Sequence, residues 1–219
     1  RELADKYNFQ LVNDNCHALG ASYCADKQYA VKYADVVIQS YHPVKHITAG
    51  EGGSVLTNDP ETDEKVRRLR THGMTKSPEQ LEKNDGPWYY EMHEVGYNYR
   101  ITDFQCTLGS SQLKKLDKFV QRRKDIAQKY DESFSFSDNL KIPETNGSID
   151  HAYHLYPLQI DFDRLSLSKT EFFEKMKDVG VNLQVHYIPV HLQPFYQKNY
   201  GFNTGDYPVS EDFYTKEVS

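Results

Sequence analysis

Two side chains of this sequence have the types and the setting for joint chemistry: the amine of Lys45 and the carboxylate of Asp14, 31 positions upstream. Lys45 stands in Ser40-Tyr-His-Pro-Val-Lys-His-Ile-Thr-Ala-Gly-Glu-Gly-Gly53, between Pro43 and a cluster of three glycines, Gly50, Gly52 and Gly53. A lysine on a rigid glycine-rich turn between buried strands is placed to lose its proton and act as an amine nucleophile. The same stretch reads equally well as a hairpin carrying a solvated lysine. Asp14 follows a short apolar run, Phe9-Gln10-Leu11-Val12. An acid at the carboxyl end of a buried strand lies where open α/β sheets take their ligands. It also has the position of a helix N-cap, and the two roles are compatible. A lysine that bonds an aldehyde, with an aspartate that keeps a ring nitrogen protonated, is the pair that pyridoxal 5′-phosphate chemistry requires.

The elements that must hold these groups follow from residue pattern. Val36-Val37-Ile38 and Ser54-Val55-Leu56-Thr57 read as strands on either side of the lysine turn. Arg1–Tyr7 reads as the end of an amphipathic helix, and Tyr23–Lys32 as a loop or weak hairpin. Pro60–Met74 has helical spacing, with proline near its start and Gly73 near its stop. Residues 75–94 hold Pro78, Gly86, Pro87 and the only tryptophan, Trp88, without any period, and read as a long functional or mobile loop. Thr102-x-x-Gln105 is a capping box opening a helix along Phe104, Leu108 and Ser111. A second helix is expected from about Leu116 to Phe134. A strand at His154–Ile160, a helix opened by Ser168-x-x-Glu171 and a strand at Asn182–Val185 complete the pattern. That interleaving suits an α/β protein in two parts, residues 1–116 and a small domain at 117–219.

Composition narrows the class. With 219 residues and 38% hydrophobic content, the chain can bury a core. Its net charge of −6, with basic residues scattered, argues against a nucleic-acid surface. No apolar run nears the ~18 residues of a membrane span, and no secretory leader opens the sequence. Cys16, Cys24 and Cys106 lack metal spacing and suit a reducing, cytoplasmic setting. His186 and His191 likewise have no companion carboxylate at ligand spacing, so no metal is expected.

Asp14–Ala21 and Ser40–Gly53 together resemble the DegT/DnrJ/StrS-type sugar aminotransferases, fold type I pyridoxal phosphate enzymes. The resemblance continues through Gly96-Tyr-Asn-Tyr-Arg-Ile-Thr-Asp103 and His186-Tyr-Ile-Pro-Val-His191. It implies part of the large domain of an aspartate aminotransferase-like fold, at 1–116, plus a small C-terminal α/β domain. It implies that Lys45 carries the cofactor, Asp14 holds the ring nitrogen, His17 lies near the ring's phenolic oxygen, and Ser40 donates to the phosphate. Asn98 is implied to reach across a homodimer interface to the neighbouring subunit's cofactor phosphate. Arg100, His186, Tyr187 and His191 are implied to bind substrate. The reaction implied is transamination of a nucleotide-linked 4-keto-6-deoxy sugar, with glutamate as amino donor. From the residues alone, Ser40 also suits a turn cap, His17 a structural histidine and Arg100 a helix-entry ion pair.

Two features set this chain within and against that resemblance. Related deoxysugar 3-dehydratases resemble the same motif but carry histidine at the lysine position. Here Lys45 is the fifth residue after Ser40 and the histidine falls one place later, at His46, which favours transamination over dehydration. The N-terminal part of the large domain, with its Gly-Thr phosphate turn and ring-stacking aromatic, has no counterpart here, nor has a last strip of the small domain. The resemblance therefore implies a fragment, with a cofactor-free binding or structural remnant as the rival reading.

Overall fold

The computed structural model describes residues 1–219. In chain order the elements are α1 (Glu2–Tyr7), β1 (Val12–Asp14), β2 (Ser22–Tyr23), α2 (Tyr29–Tyr33), β3 (Val36–Ser40), β4 (Gly53–Leu56), α3 (Pro60–Leu69), β5 (Met74–Thr75), β6 (Glu91–Met92) and α4 (Asp103–Leu113). They continue with α5 (Leu116–Phe134), β7 (Leu140–Lys141), β8 (Ile149–Asp150), β9 (Leu158–Ile160), α6 (Lys169–Asp178), a 3-10 turn at Val190–Leu192, α7 (Pro194–Tyr200), α8 (Pro208–Lys216) and β10 (Glu217–Val218). The mixed α/β class is the one expected. No helix is long and apolar enough to cross a membrane.

Residues 1–121 and 147–154 form one compact unit, and 122–146 with 155–219 form another. The first is built on a three-stranded sheet ordered β1-β3-β4. The β-branched run puts β3 in the middle: β1 lies parallel to it with Asp14 opposite Ile38, and β4 antiparallel with Gly53 opposite Ser40. Gly53 is required there, because a Cβ would stand 2.6 Å from the Gln39 carbonyl oxygen. Two helix starts are capped as their sequences dictate. Asp59 accepts from Thr62 N at 2.9 Å ahead of Pro60, and Thr102 with Gln105 forms the reciprocal capping box of α4. A small core joins Ala21, Val120 and Ala152, with Ala18 and Leu116 packed against it. Ala152 arrives on the strap 147–154, whose β8 pairs antiparallel with β2. The sheet itself is thinly covered: Ile38, Val55 and Leu56 remain 37%, 42% and 40% exposed.

The second unit holds the antiparallel sheet β10-β9-β7, with Ile160 of β9 and Glu217 of β10 buried. Ser168 and Glu171 form the capping box that opens α6.

Four expectations about local structure change. The Tyr23–Lys32 stretch makes a tight turn bridged at Tyr23 and Asp26, but Tyr29–Tyr33 is helical. Asp26, which accepts from Gln28 N and Lys32 Nζ, tethers the turn to that helix. The helix at Pro60 stops at Leu69, before Met74, because His72 and Gly73 adopt left-handed backbone at φ 59° and 71°. The strand at His154–Ile160 shortens to Leu158–Ile160, since His154 belongs to the strap of the first unit. Asn182–Val185 is not a strand: only Gln184 exchanges backbone bonds, at 2.7 and 3.0 Å with Ser219, and one pair makes no ladder.

Candidate cofactor site

Asp14 is the last residue of β1, and Asn15 N continues the pairing by donating to the Ile38 carbonyl at 2.9 Å. The chain then turns, and Cys16 N donates to Asp14 Oδ1 at 3.1 Å. Bonding from Cys16 holds the Asp14 carboxyl below its usual range, and the nearby charges of His17 and Lys45 add to the effect. Asp14 is therefore an exposed, fully ionised carboxylate at neutral pH. Cys16 goes the other way. Burial, then its bond to Asp14, pushes its thiol up to about 11, so it stays a neutral thiol and not a nucleophile.

Lys45 lies beside this pair, close enough for its charge to act on both Asp14 and Cys16. Backbone bonds fix its turn. Lys45 N donates to the His42 carbonyl at 2.9 Å, Tyr41 N to Gly52 at 2.8 Å and Ala49 N to Tyr41 at 3.0 Å. Thr48 Oγ1 also donates to the Tyr41 carbonyl and accepts from Gly50 N, at 3.1 and 2.9 Å. Gly50 and Gly52 take φ of 82° and 137°, values that side-chain-bearing residues rarely adopt. Because Asp14 is opposite Ile38 and strand side chains alternate, Asp14, Ile38 and Ser40 share one face of the sheet. Ser40 Oγ there accepts from His42 N at 3.3 Å. The structure thus brings Asp14, His17, Ser40 and Lys45 to the carboxyl ends of two adjacent parallel strands.

Asn98 and Arg100 sit in the same unit on a segment docked against the end of α3. His72 N donates to Tyr97 O at 2.8 Å, Tyr97 N to Leu69 O at 2.7 Å and Tyr99 N to Arg70 O at 2.9 Å. Two glycines allow this approach: a Cβ on Gly73 would fall 1.8 Å from the Glu94 carbonyl oxygen, and one on Gly96 2.1 Å from Gly73 N. Asn98 is exposed and bridges to Thr71. Arg100 Nη1 donates to His72 Nε2 at 2.9 Å; a guanidinium only donates, so that histidine nitrogen accepts.

A cleft of about 880 Å³ opens between β3, β4, α3 and α4, lined by Ile38, Val55, Val66, Leu113, Arg67 and Arg100 among others. Neither Asp14 nor Lys45 lines it. It coincides with the thinly covered sheet residues Ile38 and Val55.

His186, Tyr187 and His191 belong to the second unit. His186 N donates to Glu217 Oε2 at 2.9 Å, and its Nδ1 is hydrogen-bonded to Ser219 Oγ. Tyr187 is exposed, its ring edge-on to His186. His191 is buried, with Nε2 donating to Glu211 Oε1 at 2.8 Å.

Comparison with known proteins joins these observations. The DegT/DnrJ/EryC1/StrS aminotransferase family matches over residues 1–219. The chain belongs to that family. Among its relatives, an uncharacterised protein of Methanocaldococcus jannaschii is 40% identical over 218 residues, covering 100% of this chain and 56% of that protein. The UDP-4-amino-4,6-dideoxy-N-acetyl-beta-L-altrosamine transaminase of Campylobacter jejuni is 39% identical over 220 residues, covering 99% of this chain and 54% of that enzyme. Among solved structures, Helicobacter pylori PseC, an aminotransferase involved in the biosynthesis of pseudoaminic acid, superposes with a TM-score of 0.85 at 32% identity. That match covers 100% of this chain and 55% of PseC. The chain therefore has the fold of about half of a fold type I sugar aminotransferase, and it spans about half the length of the curated relatives it matches. The family's aminotransferases use pyridoxal phosphate. The residues present fit that group: an ionised carboxylate for a ring nitrogen, a lysine amine for an aldehyde, and a strand-end hydroxyl for a phosphate.

Two groups beside the site, His46 and His154, have no site role that the sequence announces. Their rings lie 5.5 Å apart, and the His154 ring is 4.1 Å from that of His17. Only the position of His46, next to Lys45, gives any sequence signal.

Proposed function

We propose that this chain carries the lysine half of a sugar-nucleotide aminotransferase: pyridoxal phosphate bonded to Lys45, and an amino group delivered to a nucleotide-linked 4-keto-6-deoxy sugar. The observation that carries the reading is Lys45, in the turn after β3, set beside a carboxylate at the end of the adjacent β1 that Cys16 keeps ionised. When bound, pyridoxal phosphate supplies an aldehyde for amines and a pyridinium that accepts electrons. Asp14 would hold the proton on the ring nitrogen. Lys45 Nζ is the amine that would hold the group through its aldehyde and, when free, the base that would carry a proton at the reacting carbon. Ser40 Oγ donates to the phosphate, and His17, exposed and three residues from Asp14, meets the ring. Arg100, with donors left beyond its bond to His72, takes anionic oxygens of the nucleotide. Tyr187 and His186 meet the sugar nucleotide, and His191, committed to Glu211, buttresses their loop.

The likeness to the Campylobacter and Helicobacter enzymes supports a finer reading, an altrosamine transaminase of the pseudaminic acid type using glutamate as donor. The active form is a homodimer in which Asn98 completes the neighbouring subunit's phosphate site, in the cytoplasm. Lys45 itself disfavours a dehydratase.

The test uses absorbance. Wild type with pyridoxal phosphate shows a visible lysine-linked band, and Lys45→Ala loses it. Asp14→Asn keeps the band and lowers turnover by about 10²-fold or more. A band unchanged in Lys45→Ala overturns the assignment. The exposed Ile38, Val55 and Leu56 favour one second reading, a chain that binds another polypeptide and no cofactor. It predicts no band in wild type.

A further inference from the structure

Three imidazoles meet in the first unit: His17 in the turn after β1, His46 immediately after Lys45, and His154 at the end of the strap 147–154. The His154 ring packs on His17 at 4.1 Å and 46°, and on His46 at 5.5 Å and 50°. These are the tilted geometries that aromatic rings adopt in contact. No three His, Cys, Asp or Glu groups are arranged to hold a metal, so the cluster is a ring stack and not a ligand set.

What places His154 is independent of the turns it touches. The strap pairs with β2 in the register Ser22 opposite Asp150 and Tyr23 opposite Ile149. Cys24 N donates to Ser148 O at 2.7 Å, and Ala152 is buried with Ala21 and Val120. Tyr153 then takes a left-handed φ of 47°, which turns the backbone just before His154. The residues before and after the strap, 122–146 and 155–219, belong to the other unit. The eight strap residues, part of the first unit, are thus held by backbone pairing and a core alanine, and end on one imidazole. That imidazole touches the turn that carries Asp14 and the turn that carries Lys45.

We propose that His154 is a positioning residue: its ring holds those of His17 and His46, and so fixes the spacing of the Asp14 and Lys45 turns. This rests on reading those turns as the cofactor site. His17 is exposed, and an exposed ring that must meet a planar ligand needs a packed neighbour to keep its rotamer. His46 is buried beside Lys45, so a shift of its ring moves the lysine backbone with it. Small misplacements of reacting groups cost large factors in rate.

The experiment compares His154→Ala with His154→Phe in the full 219-residue chain, using two readouts. The first is the His17 imidazole proton resonance without cofactor, assigned by its loss in His17→Gln. The second is the rate of lysine-adduct formation with pyridoxal phosphate. The expected result is a displaced His17 resonance and adduct formation slowed about ten-fold or more in His154→Ala, with both restored by phenylalanine, which keeps the ring. If alanine prevents folding, His154→Gln, which keeps bulk without a ring, takes its place. A His17 resonance unmoved in the ringless variant overturns the inference. A wild type that forms no adduct while that resonance still moves overturns the cofactor reading alone and leaves the positioning contact in place.

Discussion

The lysine turn of the first unit and the histidine segment of the second are held by different kinds of bond. Around Lys45, residues 40–54 hold one another mainly through main-chain groups and short local bonds such as those of Thr48 Oγ1, with glycines at 50 and 52 supplying backbone that other residues resist. Around His186–His191 the anchors are side chains 20 to 33 positions away: Glu217 and Ser219 on His186, Glu211 on His191. A turn built from its own backbone tolerates exchange of most side chains and fails at its glycines. A segment hung on distant side chains fails at those anchors and tolerates change in its own exposed residues. The amine proposed for catalysis is on the first kind of structure, where a fixed backbone sets its position. His186 and Tyr187, proposed for the sugar nucleotide, are on the second, where a few exchanges can alter recognition without moving the lysine.

Glycine substitution is the most severe way to break a backbone-built region. Gly73→Ala places a Cβ 1.8 Å from the Glu94 carbonyl oxygen at a φ of 71°. It should cost about 3 kcal/mol or more in urea unfolding and release the Asn98–Arg100 segment. A cost of a few tenths would show that this docking is not set by backbone approach. The second unit should fail at an anchor instead. Glu217→Ala leaves the half-buried His186 N without its acceptor and should cost about 1–3 kcal/mol, while the Lys45 adduct is unchanged in the same protein. The smallest effect is a pH dependence. Bonding from His191, then from Gly205 N, holds the Glu211 carboxyl below its ordinary value of 4.5. That stabilisation is complete above the ordinary value and disappears as pH falls through the folded-state value. Melting temperatures followed from pH 6 to pH 3 should fall less steeply in Glu211→Gln than in wild type; equal slopes would remove Glu211 from the account.

The same contrast explains what is legible in the sequence. The β3–β4 pair, the Lys45 turn and the capping boxes at Thr102 and Ser168 are written in neighbouring residues, and they stand where pattern and spacing put them. The placement of Asp14 beside Lys45 follows from one strand pairing, and the family resemblance points to it. The strap is different. Ile149 and Asp150 have no local signal of a partner, because β2 lies far upstream and only the folded chain brings them together. His154 is invisible for that reason. Asn182–Val185 shows the opposite failure: alternation suggests a strand, but only Gln184 has a partner. His191 has the type of a ligand-binding residue, and nothing near it in sequence announces that Glu211 takes its Nε2.

The most direct test of the central claim is borohydride reduction of the chain with equimolar pyridoxal phosphate, followed by peptide mapping of the label. One phosphopyridoxyl group, confined to Lys45, is expected. Label spread over other lysines, or no label at all, would contradict it.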